Sequence, residues 1–301
     1  MKSRRAYGLL LLAAGCAAEA GTTDAAQEIS GDSLMAKIRV LASDEFEGRG
    51  PGTPGEEKTV AYLTGQFQQL GLSPGNPDGS WVQQVGMVGI TSAPEVTFTA
   101  GGKPLPVRIP DDLSVATMRQ IDQIAIDRSD IVFVGYGIEA PEYQWDDWKG
   151  TDVRGKTVIM LVNDPPIPDP ADSAGLDSTV FRGKAMTYYG RWTYKYEIAS
   201  AKGAAAAIIV HEEGPAGYPW EVAVGVRGRE NADIARPDSN RARVPVEGWI
   251  HLDKTRQLFR AAGQDFDALK RAALTREFRP VRLNARATFR IKTSVRSFSS
   301  R

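Results

Sequence analysis

Apolar positions change their period along the chain, and each change marks a different part of it. Near the front, Leu34, Ile38 and Leu41 recur at helical spacing, and Asp32 or Ser33 is placed to cap a helix through Leu41. The segment from Ser43 to Gly52 follows, and its glycines and proline predict a loop without regular structure. Thr53 then caps a second helix, with Pro54 at its first position and Glu56 and Glu57 in its first turn, where carboxylates favour the helix dipole. Val60, Leu63, Phe67 and Leu70 form one stripe on that helix, and Gly71 stops it. Such a stripe must be buried against something.

Beyond Trp81 the period shortens to that of strands. Val96 to Thr99 and Leu105 to Ile109 flank Ala-Gly-Gly-Lys and predict a hairpin. From about residue 130 the pattern is mixed: apolar runs at Ile131 to Val134, Thr157 to Val162, Ala204 to Val210 and Val244 to Ile250 predict buried strands. Helices are predicted from Tyr189 to Lys202, ending at Gly203, and near Lys254 to Ala262 and Phe266 to Leu274. Leu283, Ala285, Ala287, Phe289 and Ile291 alternate with polar residues, the period of a half-buried strand. The fold class is therefore α+β: two helices in front, then a mixed α/β domain.

Composition narrows the function classes. Of 301 residues, 42% are hydrophobic and 25% charged, which excludes a wholly disordered chain. Lysine and arginine (37) balance aspartate and glutamate (37), and no basic stripe with interleaved aromatics is present, so nucleic acid is not an expected partner. Residues 1–20 have a basic start (Lys2, Arg4, Arg5), a short apolar run and small residues, the build of a secretory signal. Ala18-Glu19-Ala20 offers a cleavage site, while Ala13-Ala14-Gly15-Cys16 resembles a lipoprotein box, with alanine where leucine is usual. Both routes stay open. The chain is expected to be exported to the periplasm or beyond, as an outer-membrane lipoprotein if Cys16 takes the lipid, and that lipid is the expected membrane contact. Cys16 is the one cysteine, so the body of the protein carries no disulfide. Residues 21–32 are small and polar and read as a tether.

Leu41-Ala42-Ser43-Asp44-Glu45-Phe46-Glu47-Gly48-Arg49-Gly50-Pro51-Gly52-Thr53-Pro54-Gly55-Glu56, continuing to Leu70-Gly71-Leu72, resembles the start of bacterial di-zinc aminopeptidases related to glutamate carboxypeptidase and the transferrin-receptor ectodomain, peptidase clan MH. Val134-Gly135-Tyr136-Gly137-Ile138, Asp152 to Val158, and Lys202-Gly203-Ala204-Ala205-Ala206 into Ile208-Ile209-Val210 resemble a protease-associated domain. The resemblance implies a helical segment at 33–85 and a protease-associated domain with flanking strands at 86–295, with 296–301 a truncated end. It implies helices that would pack on a catalytic α/β domain, where two zinc ions direct a water at the peptide bond beside a free amino terminus. Neither catalytic nor metal-binding residues are expected in this chain, and its expected partners are peptides or a missing catalytic half. The alternative is a free-standing exported module that binds peptides or proteins.

Candidate chemistry is sparse. His251-Leu252-Asp253 matches the spelling of the relatives' His-x-Asp zinc motif, but Asp253 reads better as a helix N-cap. His211-Glu212-Glu213 reads as a strand-end histidine facing the next loop, since His251 is the chain's only other imidazole and a structural zinc usually takes four ligands. Asp146 and Asp147 read as solvated loop carboxylates, and Asn163-Asp164-Pro165-Pro166 as a strand exit into a rigid turn. Gly48, Gly50 and Gly52 lack the context of a dinucleotide loop. Tyr189, Trp192 and Tyr196 share a helical face and are expected in the core, while Tyr188 and Tyr194 point elsewhere. Tyr188, Trp192, Tyr218 and Trp220 are the candidates for the rim of a substrate cleft.

Overall fold

The structure, a computed structural model, describes residues 30–172, 174–227 and 229–301. The signal segment and Cys16 lie outside the described residues. The chain divides into two compact units, Met1–Ser73 and Pro74–Arg301.

The first unit contains α1 (Gly31–Leu41) and α2 (Pro54–Gln69). Ser30, not Asp32 or Ser33, caps α1: its side chain accepts from the Ser33 N–H, so the helix begins inside the expected tether. Thr53 caps α2 by accepting from the Glu56 N–H, while the Glu56 carboxylate reaches back to the Gly52 N–H at 2.6 Å. The expected loop between them instead holds a 3-10 segment, Asp44–Arg49, broken where Glu47 and Gly48 take positive φ. Phe46 seats it, meeting Tyr62 edge-on at 6.1 Å. Phe46 is the only large apolar side chain buried in the described part of this unit. Leu34, Met35, Ile38, Leu63 and Phe67 are exposed, and Leu70 is 74% exposed.

The second unit is built on a nine-stranded sheet. In chain order its elements are β1 (Val85–Ala100), β2 (Lys103–Leu105), β3 (Leu113–Ala116), β4 (Gln123–Phe133), β5 (Glu139–Ala140), β6 (Trp145–Asp146), β7 (Thr157–Leu161), α3 (Trp192–Ala201), β8 (Ala206–His211), α4 (Glu213–Ala216), α5 (Trp220–Arg227), β9 (Asn231–Ile234), β10 (Val246–His251), α6 (Leu252–Ala261), α7 (Phe266–Ala272) and β11 (Val281–Ser300). The order across the sheet is β2-β1-β11-β4-β7-β8-β10-β3, with β9 on β1, while β5 and β6 pair separately. The successive pairs β4–β7, β7–β8 and β8–β10 are parallel, and the flanks are antiparallel. β1 and β11 run side by side along all of β1, from Val85 opposite Ser300 to Ala100 opposite Ala285. The Gly101-Gly102 turn, with φ of 57° and 77°, closes the predicted hairpin. β2 stops at Leu105 rather than running to Ile109.

Both faces of the central strands are covered, which is why β7 and β8 are buried at every position. One cluster packs Phe133, Phe259, Phe266 and Phe278 with Ile208 and Ile250; the opposite cluster holds Trp148, Tyr196, Ile209 and Trp249. In β11 Leu283, Ala285, Ala287, Phe289 and Ile291 are buried while the intervening Asn284, Arg286, Arg290 and Lys292 are exposed. β3, α5 and β9 had no counterpart in the sequence pattern.

Candidate functional site

Parallel pairing brings the two histidines together. His211 ends β8, His251 ends β10, and the two are register partners. Side chains alternate along a strand, so both lie on the sheet face that carries Ile209 and Trp249. Trp220, the first residue of α5, meets both imidazoles edge-on, at 5.3 Å from His211 and 5.4 Å from His251. Tyr218 lies 5.4 Å from His211. A recess of about 420 Å³ opens here, lined by His211, Glu212, Glu213, Gly214, Pro215, His251, Leu252 and Asp253.

His211 is 2% exposed and Nε2 has no hydrogen-bond partner. Burial lowers its pKa, and the nearby His251 lowers it further. The charge of Glu213 and then the Tyr218 backbone oppose that shift. His251 corrects the sequence reading of Asp253. β10 runs straight into α6, so His251 is the N-cap, its Nδ1 accepting from the Asp253 N–H at 3.2 Å. Asp253 stands in the first turn with its side chain 73% exposed. Glu212 forms an ion pair with Lys270 of α7.

The four cleft-rim candidates fall into separate groups. Tyr188 contacts Tyr194 at 6.0 Å, and Trp192 contacts Tyr196 at 6.0 Å, whereas Tyr218 and Trp220 surround His211. The expected sharing of one face by Tyr189, Trp192 and Tyr196 does not hold. A 3-10 turn at Tyr188–Gly190 precedes α3, and the helical phase starts only at Trp192. Tyr196 is buried, its hydroxyl donating to the Gly248 carbonyl at 3.0 Å, but Trp192 is 43% exposed, and Tyr189 and Tyr194 pack on the opposite core.

A polar network at the exits of β4 and β7 escaped the sequence reading. Lys195 of α3 is fully buried, and Nζ donates to the carbonyls of Tyr136 at 2.6 Å and Asn163 at 3.1 Å. Asp147 is 1% exposed, not solvated, and accepts from the Ile138 N–H at 3.0 Å and from Trp145 Nε1 at 2.8 Å. Asp146 is not free either, since it accepts from the Trp148 and Lys149 N–H groups. Asp164 clasps Thr187 through both the N–H and the hydroxyl, closing the long excursion between β7 and α3. Burial lowers the Lys195 pKa and raises that of Asp147, while their mutual attraction opposes both shifts.

Among the described residues, no group of three or more histidine, cysteine, aspartate or glutamate side chains is placed to hold a metal ion. The donor set here therefore does not fit a di-zinc centre. Likewise no helix among them is long and apolar enough to cross a membrane.

No known family profile and no curated protein matches the chain. Among solved structures it is similar to an aminopeptidase from Aneurinibacillus sp. strain AM-1, at 16% identity, covering 91% of this chain and 47% of that one, with a TM-score of 0.30. The chain thus spans about half the length of that protein, and a likeness this loose carries no argument about activity.

Proposed function

We propose that this chain is the front portion of an exported zinc aminopeptidase, its helical unit shaped to be covered by a catalytic half that carries the metal ligands. The observation that carries this reading is the bare apolar face of α1 and α2. Among the described residues of that unit only Phe46 of the large apolar side chains is buried, and Leu34, Ile38, Leu63, Phe67 and Leu70 are exposed. Contiguous apolar surface of that kind marks an interaction site. The motif from Leu41 to Glu56, at the junction of the two helices, supports the assignment to aminopeptidases, and the basic, apolar and small-residue start supports export. In this reading the chain alone hydrolyses no aminoacyl-nitroanilide, and its relatives' two zinc ions are held elsewhere.

Limited trypsinolysis tests it, because Lys37, Arg39, Arg49 and Lys58 lie in the helical unit. Rapid loss of residues 30–73 from a resistant remainder is the expected result. Uniform resistance, or chelator-sensitive aminopeptidase activity from this chain, overturns it. The alternative of a free-standing protease-associated module is favoured by the doubly covered sheet of the second unit, which needs no partner to complete its core.

A further inference from the structure

We propose that the recess over the facing bulges of β4 and β11 binds the dianionic phosphate of a small polar molecule. The sheet is irregular here on both strands. Between Arg282 and Arg286, β11 has Leu283, Asn284 and Ala285 where β4 has only Ile131. Between Ala287 and Phe289, β4 has Asp127 and Arg128 where β11 has only Thr288. A bulge bends its strand and re-aims the side chains beside it. Arg128 takes a φ of 45° there, and its N–H donates to the Thr288 hydroxyl at 3.1 Å. Beneath it the buried Ser129 hydroxyl is bonded to the Thr157 hydroxyl at 2.6 Å and to the Ala287 carbonyl at 3.1 Å, which fixes the bulge from the core side. The result is a recess of about 450 Å³ whose lining includes Thr99, Arg128, Asp130, Arg282, Asn284 and Arg286, a size that holds a small molecule.

The charges select the ligand. Asp130 accepts from Arg282 Nη2 at 2.5 Å with one oxygen and from Arg286 Nε at 3.0 Å with the other, so one carboxylate holds two guanidiniums side by side. The neighbouring Asp127 is ion-paired with Arg290. The guanidinium of Arg128 has no hydrogen-bond or ion-pair partner among the described residues. Three cations against one anion leave the recess at +2, in a chain whose formal net charge is zero. An anion is therefore favoured, and a dianion matches the charge. Guanidinium groups are donors only, and their planar fork fits phosphate oxygens through paired N–H groups. A phosphate monoester is the complement, with about −1.5 to −2 charge at neutral pH and three acceptor oxygens, where a carboxylate brings a single charge. Thr99 is the register partner of Arg286 on β1, and Asn284 lies on the same exposed face of β11, between the buried Leu283 and Ala285. Both side chains donate and accept, which suits the polar body of an ester.

The inference goes beyond the missing-partner reading and stands or falls separately, since trypsin susceptibility of residues 30–73 does not bear on this recess. The test is a calorimetric titration of the full chain at low ionic strength with inorganic phosphate, with glycerol phosphate, with glycerol and with acetate. Saturable binding of both phosphates is expected, with acetate and glycerol weaker by at least about tenfold, the scale of one charge-assisted hydrogen bond. Arg128→Glu reverses a charge on an exposed side chain without a partner, so it should abolish binding while leaving the circular dichroism unchanged. Arg128→Lys keeps the charge without the fork and should restore binding in part. Arg286→Gln removes a second donor and should weaken binding by about tenfold. Sedimentation with phosphatidylcholine vesicles, with and without phosphatidic acid, distinguishes the source of the phosphate. Retention on phosphatidic acid that Arg128→Glu abolishes assigns it to a lipid headgroup, and no retention assigns it to a soluble ester. No saturable binding of either phosphate at millimolar concentration, acetate bound as tightly as phosphate, or phosphate affinity unchanged in Arg128→Glu and Arg286→Gln would each overturn the proposal.

Discussion

Replacing Lys195 with methionine tests how the exits of β4 and β7 are held. The substitution keeps most of the aliphatic volume and removes the donor that joins the Tyr136 and Asn163 carbonyls at 2.6 and 3.1 Å. It also removes the cation facing Asp147 and Asp164. Taking one partner from a buried charge pair costs about 3–5 kcal/mol, because the other is left in a medium that cannot solvate it. For a unit of this size that lowers the Tm by on the order of 10 °C. A pH series distinguishes this from simple loss of packing. Burial raises Asp147 to about 6 in the intact protein, and without Lys195 its folded pKa moves higher still, above the unfolded value of about 3.9. A carboxyl raised in the folded state costs stability above its folded pKa and costs nothing below its unfolded one, so the deficit should shrink as pH falls from 7.5 toward 4. Urea denaturation of Lys195→Met and of Lys195→Met/Asp147→Asn at both ends of that range supplies the measurement. A deficit under about 1 kcal/mol at pH 7.5, a deficit that does not narrow in acid, or a double variant no more stable than the single one refutes the account.

Other substitutions probe separate parts of the fold. Burial alone would raise Asp112, but hydrogen bonds from Arg108 and then Lys254 outweigh it and hold the carboxyl at about 2. Its stabilisation of about 2 kcal/mol is present above the unfolded pKa of about 3.9 and lost as pH falls toward 2, so Lys254→Met should flatten the acid limb of the stability curve. At Gly248 an added Cβ would stand 2.3 Å from Val115 Cγ1 and 2.8 Å from the Ser114 carbonyl oxygen, so Gly248→Ala should cost about 1–3 kcal/mol in thermal denaturation by prying β3 from β10. At Gly55 a Cβ would stand 2.2 Å from the Phe46 carbonyl oxygen, so Gly55→Ala should displace the 3-10 segment and speed proteolysis at Arg49 while leaving residues 74–301 unchanged.

What could be read from the sequence was whatever a single element determines by itself. β11 announced its face because one side is buried and the other wet, and α2 announced its start because Thr53 and Pro54 act locally. β3 and α5 were missed for the opposite reason: Leu113–Ala116 is four residues long, and α5 follows Pro219 in a stretch rich in glycine and proline. The candidate site was least legible. His211 and His251 are separated by other elements in the chain, and only the parallel pairing of β8 with β10 makes them neighbours. Asp147 was misread because adjacency to Asp146 says nothing of burial; its indole and amide donors come from Trp145 and from Ile138 across the turn.

The ribbon formed by β1 and β11 has a geometric consequence. With Val85 opposite Ser300, the path into the sheet and the path out of it are separated by one interstrand spacing, about 4.8 Å. A host protein could therefore accept the whole sheet at a single surface turn, opening a gap no wider than that between paired strands and leaving its own backbone otherwise undisturbed.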